Sequence, residues 1–196
     1  MGAGRRGVWI AGAFAVVVFL VWLDQWSKEA AFAFLASGEA DLIRDCHAGH
    51  SRHLVAGTWL SFMTSCNAGA AFGSFDGFSS ALVAGRVIAV GVLAWFLFRA
   101  DTGQKAVLTA LTLVLAGAAG NVIDNLWTGC GNPEVPHGVR DFINVWFEPL
   151  FGWDAHFPSF NVADSCISVG AVVWILSGLL APKDESSDLP AEEPAA

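Results

Sequence analysis

The chain has 196 residues, 55% of them hydrophobic and only 14% charged, with a mean hydropathy of +0.54. Soluble domains carry about 25% charged residues, so this chain cannot hide its apolar surface in one small core and reads as a membrane protein. A net charge of -8 argues against a nucleic-acid partner.

Four apolar stretches approach the roughly 20 helical residues that cross a bilayer core. They lie near Val8–Leu35, Ser79–Phe98, Ala106–Trp127 and Val162–Ala181. The first is long for the h-region of a cleaved signal peptide, and Asp24, Gln25 and Lys28 interrupt its distal half. Asp24 and Lys28 stand four apart on one helix face. The plain expectation is an ion pair with Lys28 snorkelling outward.

A long polar segment follows, Ala36 to Phe78. Its Cys46–His53 run offers metal-ligand residue types at a spacing that matches no zinc pattern, and reads as a solvated loop with no metal. Thr58–Thr64 alternates in polarity as a strand does. Small residues in Asn67–Gly73, Gly69 among them, let the backbone approach a neighbour closely. A small sheet on the outer leaflet is expected here.

In the second span, Arg86 is expected to snorkel. In the third, Ala116 and Gly120 have the small-xxx-small spacing of close helix packing. The second long segment, Thr128 to Asn161, contains Ile143–Phe147, which suits a strand and an interfacial helix equally. Asn161 and Asp164 open the fourth span with the spacing of a capping box, Asp replacing Glu. Residues 182–196 read as an acidic, disordered tail after a single domain over 1–181.

Basic residues set the orientation. Arg5, Arg6, Arg99, Lys105 and Lys183 fall on one side, against Arg44, Arg52 and Arg140 on the other. Both termini are therefore expected in the cytoplasm and both long segments, about 36–78 and 128–161, outside. Cys46, Cys66 and Cys130 then lie where disulfides form, with Cys46–Cys130 and Cys46–Cys66 as candidate bridges. Cys166 lies in the fourth span as a small apolar residue.

Asp141 and Asp164 carry the chemistry. Each sits at the mouth of a membrane segment, where a carboxylate is costly. Two close carboxyls share a proton. One can take a proton from water while the other protonates the carbonyl oxygen or the departing amine. The helix start favours Asp164 as the carboxylate and leaves Asp141 as the acid. That is peptide hydrolysis with no covalent intermediate and no cofactor. A serine nucleophile (Ser27, Ser61 or Ser165) with Lys28 as base is a weaker alternative.

Five motifs occur in order: Asp24–Lys28, Asn67–Phe72, Gly117–Asp124, Val139–Phe142 and Phe160–Asp164. With them the chain resembles the bacterial lipoprotein signal peptidases (signal peptidase II), intramembrane aspartyl proteases. The resemblance implies four transmembrane helices, an outward β-cradle and a second outer loop closing over the site. It implies Asp141 and Asp164 as the catalytic dyad. Asp24, Asn67, Gly69, Asn121, Asp124 and Asn161 are implied as supporting or substrate-binding residues, and Lys28 and Asn125, which directly follows the third motif, are further candidates for that role. The implied substrate is a diacylglyceryl-modified prolipoprotein, cut before its lipidated cysteine at the inner membrane. Globomycin is expected to bind across the dyad. The chain departs from the family at Asn125, where Arg is usual, and in a longer Thr128–Gly138 stretch. Two rival functions are a small membrane carrier, whose polar groups should cross the midplane, and a non-catalytic relative that binds lipidated signal peptides.

Overall fold

The computed structural model describes residues 3–44, 51–67, 79–131, 137–152 and 156–179. Among them, four helices are long and apolar enough to cross a membrane. They are α1 (Ala3–Ala36), α2 (Ser79–Arg99), α3 (Lys105–Ile123, continued by a π-helical turn over Asp124–Thr128) and α5 (Val162–Leu179). The protein is a multi-pass membrane protein with a small antiparallel sheet at one end. At 1.5 Å per residue α1 is about 51 Å long, well beyond a 30 Å hydrocarbon core.

The third helix is the centre of the bundle, packing on α1, α2 and α5. Glycine lets α3 pack closely on both α5 and α1. A Cβ on Gly117 would collide with the Ala163 carbonyl oxygen, and one on Gly120 would lie 2.7 Å from Asp24 Oδ2. On the facing helix, a Cβ on Gly170 would lie 2.8 Å from Val114. Of the expected pair, Gly120 makes a close helix contact, and Gly117 makes another. Ala116 instead faces the buried cluster of Ile10, Ala13, Val17, Leu97, Leu108, Leu111 and Leu115.

The sheet draws on both long segments. Strands β1 (Leu42–Arg44), β2 (Ser51–Ala56), β3 (Leu60–Asn67), β4 (Val139–Trp146) and β5 (His156–Phe160) lie in that order, all antiparallel. Residues 143–146 are thus strand, and a short helix α4 (Glu148–Phe151) follows. In the β3–β4 register Asp141 faces Ser65, Arg140 faces Cys66 and Val139 faces Asn67.

The bridge is Cys66–Cys130, with Cα atoms 5.7 Å apart. This corrects both pairings offered for Cys46, which lies outside the described residues along with Gly69 and the 182–196 tail. The bridge lies at the end of the central strand: the π-turn ends at Gly129 (φ 55°), whose amide donates to Asp124 O at 2.7 Å, and Cys130 follows it to meet the end of β3.

Candidate active site

The site is assembled where α1, α3, β4 and α5 meet, starting from a helix that needs capping. The first amides of α5 have no intrahelical acceptor. Asp164 N donates to Asn161 Oδ1 at 2.9 Å, and Asn161 N donates back to Asp164 Oδ2 at 3.2 Å. This is the reciprocal cap expected from the sequence. The Ala163 amide takes a third acceptor from another helix, Asp24 Oδ1 at 2.9 Å.

The fully buried Asn161 also reaches across to the sheet. Its Nδ2 donates to Asp141 Oδ1 at 2.7 Å, with Asn121 Oδ1 at 3.2 Å and Arg140 O at 3.3 Å nearby. Asp141 Oδ2 accepts from Asn67 Nδ2 at 3.2 Å. Asp164 Oδ1 accepts from Asn121 Nδ2 at 2.8 Å. One asparagine therefore touches both carboxyls, and a second asparagine holds each from its outer side. Burial, and then the charge of Asp164, push the Asp141 carboxyl up to about 7.

Beneath the pair lies a charge cluster with two buried cations and two buried carboxylates. Lys28 Nζ contacts Asp24 Oδ2 at 2.8 Å, Asp124 Oδ2 at 3.0 Å and Asn121 Oδ1 at 3.0 Å. Its side chain is 0% exposed, so the snorkelling expectation was wrong: the ammonium turns inward because α3 presents Asp124 and Asn121 to it. An ammonium has three donors, and these contacts are three oxygens, none of a serine. Ser27, Ser61 and Ser165 bond elsewhere, to Asp24 O, Asn144 and Asn161 O. That removes the geometric basis of a Ser/Lys site.

Arg140 is the residue the sequence reading passed over. Strand alternation sends it to the opposite side from Asp141. Its Nη2 and Nε donate to Asp124 Oδ1 at 2.9 and 3.2 Å, and its amide to Asp124 Oδ2 at 3.0 Å. Gln25 Oε1 at 3.0 Å and Glu29 Oε2 at 3.1 Å accept its remaining donors. Gln25 in turn donates to Asp24 Oδ2 and Gly120 O, each at 3.0 Å. The available signal was a lone Arg beside Asp141 with Gln and Glu four apart on α1.

Arg86 is half-buried and has an internal partner. Its Nη1 donates to Asn125 Oδ1 at 2.7 Å. Asn125 Nδ2 donates to His137 O at 2.5 Å, and His137 Nδ1 lies 2.8 Å from Asn125 O. Asn125 thus joins α2 to the segment entering β4. Gly69 lies outside the described residues. Among the described residues no three His, Cys, Asp or Glu side chains converge as metal ligands.

A family model described as signal peptidase (SPase) II matches residues 16–180, a span that includes every residue of this cluster. The chain belongs to the signal peptidase II family. The lipoprotein signal peptidase of Serratia proteamaculans is 35% identical over 186 residues, covering 94% of this chain and 92% of that protein. That of Borrelia hermsii is 30% identical over 186 residues, covering 92% and 96%. A solved bacterial membrane enzyme superposes with a TM-score of 0.64 at 27% identity, covering 93% of this chain and 94% of the other. In this signal peptidase II member, the match runs from within α1 through both long segments to α5.

Proposed function

We propose that this signal peptidase II member is an aspartic endopeptidase that removes signal peptides from diacylglyceryl-modified prolipoproteins, cutting before the lipidated cysteine. Asp141 and Asp164 are its catalytic pair. The observation that carries this reading is Asn161, whose side chain bonds Asp141 at 2.7 Å and whose amide bonds Asp164 at 3.2 Å. It holds two carboxyls side by side at the mouth of a membrane bundle.

Asp164 takes a proton from water, and the water oxygen attacks the scissile carbonyl carbon. Asp141 gives its proton to the carbonyl oxygen. The resulting gem-diol collapses: the C–N bond breaks, the departing nitrogen takes the proton from Asp164, and Asp141 recovers one from a gem-diol hydroxyl. Both carboxyls end as they began. A carboxyl at about 7 is suited to hold a proton near neutral pH. The Lys28–Asp24–Asp124–Arg140 cluster positions α1, α3 and β4 and does not touch the reacting bond.

The basic residues Arg5, Arg6, Arg99 and Lys105 support a topology with both termini in the cytoplasm of the inner membrane and the pair near its outer face. A globomycin-type inhibitor would lie across the pair. The test is mass spectrometry of products from a diacylglyceryl-prolipoprotein and its unlipidated form. Release of a fragment beginning at the lipidated cysteine is expected, with little turnover of the unlipidated form. A cut elsewhere, or equal turnover of both forms, contradicts the proposal.

A further inference from the structure

Away from the carboxyl pair, at the basic end of the bundle, a gap opens on one side of the α1–α3 contact. The gap is a cavity of about 530 Å³ lined by Val8, Trp9, Gly12, Val16, Thr109 and Leu113, among others. Its volume is that of a ligand site, but its walls lie at membrane depth. The two helices run in the same direction here, since Trp9 neighbours Lys105 while Asp24 neighbours Gly120.

The walls carry a pattern. On α1, Arg5, Trp9, Gly12 and Val16 follow i, i+4, i+7, i+11 and share one stripe; on α3, Lys105, Thr109 and Thr112 follow i, i+4, i+7. Each stripe, apolar on α1 and threonine-bearing on α3, is headed at the same end by an exposed cation. Lys105 Nζ lies 5.5 Å from the centre of the ring of Trp9, which lines the cavity. The neighbouring charges are otherwise engaged. Arg6 donates to Phe98 O at 2.5 Å, Arg99 stacks on Trp95, and Asp101 accepts from the amide of Gly103 in its own loop at 2.9 Å.

From this placement we infer that the α1–α3 cavity is a binding site for one acidic phospholipid, its acyl chain between the stripes and its phosphate at Arg5 and Lys105. A basic pocket between transmembrane helices is suited to an anionic head group. Charge complementarity selects this occupant over a second copy of the chain, which would bring Arg5 and Lys105 against its own. The inference is independent of the proposed peptidase mechanism.

Gly12 supplies a clean test, because a Cβ built there meets nothing within 4 Å; Gly12→Leu fills the cavity without disturbing the helix. The purified protein is reconstituted with equal phosphatidylglycerol and phosphatidylcholine of the same acyl chains, and the retained lipid is counted by native mass spectrometry. Phosphatidylglycerol should be retained preferentially, the preference falling about fivefold for each of Arg5→Gln and Lys105→Gln. Gly12→Leu should lose the retained lipid altogether. Equal retention of the two lipids overturns the inference. So does a preference that survives the Arg5→Gln/Lys105→Gln double variant, retention unchanged in Gly12→Leu, or a dimer occupying the groove.

Discussion

Asn161 and Asp164 hold each other twice, side chain to amide at 2.9 Å and amide to side chain at 3.2 Å. The same Asn161 side chain reaches Asp141 at 2.7 Å. A helix cap and a carboxyl pair are therefore one piece of structure. The two roles separate by substitution. Asn161→Ser keeps an oxygen for the Asp164 amide but has no amide nitrogen for Asp141. It should keep the cap and lose about 1–3 kcal/mol of stability through the unpaired buried acceptors, while kcat falls on the order of 10²-fold. Thermal unfolding in detergent beside single-substrate kinetics separates these effects.

The raised Asp141 carboxyl makes two pH predictions. In the proposed mechanism it must be protonated, so kcat should decline as pH rises through about 7. The folded state also holds this proton more tightly than the unfolded chain. Its contribution to stability is full below the ordinary carboxylate value of 3.8 and is lost as pH rises toward about 7. Asp141→Asn should flatten the melting temperature over that window, which a pH series of unfolding curves measures.

Lys28 faces Asp24 and Asp124 at 2.8 and 3.0 Å. Lys28→Met leaves two buried carboxylates with one cation fewer, a change worth about 3–5 kcal/mol. Adding Asp24→Asn should restore part of that loss, and a double-mutant cycle on thermal unfolding measures the coupling. Additive losses would mean that the two side chains do not interact.

The Cys66–Cys130 bridge ties the end of β3 to the turn after α3. Cys66 precedes Asn67, which donates to Asp141 at 3.2 Å. The Cys66→Ser/Cys130→Ser variant should lose about 2–4 kcal/mol of stability and some activity. Dithiothreitol should lower the wild type to the same level and leave the variant unchanged.

The spans were legible in the sequence because bilayer thickness imposes a long apolar run on each, and the α5 cap was legible because its partners are three residues apart. The inward turn of Lys28 was not. The helix face of Asp24 and Lys28 fixes their mutual contact, whereas direction depends on Asp124, which only folding brings within 3.0 Å. Arg140 was missed for the same reason, since its acceptors lie on α1 and α3. The Ile143–Phe147 segment stayed ambiguous until its pairing with β3 and β5 decided for a strand over 143–146. Arg86 and Asn125 belong to different spans, and neither predicts the 2.7 Å contact.

The most direct measurement is a gel-shift cleavage assay of purified wild type, Asp141→Asn and Asp164→Asn on a diacylglyceryl-prolipoprotein, with thermal unfolding of each protein alongside. Wild type should convert the substrate, and both variants should stay folded while losing on the order of 10²–10⁴-fold in rate. Wild-type cleavage by either folded variant would contradict catalysis by the Asp141–Asp164 pair.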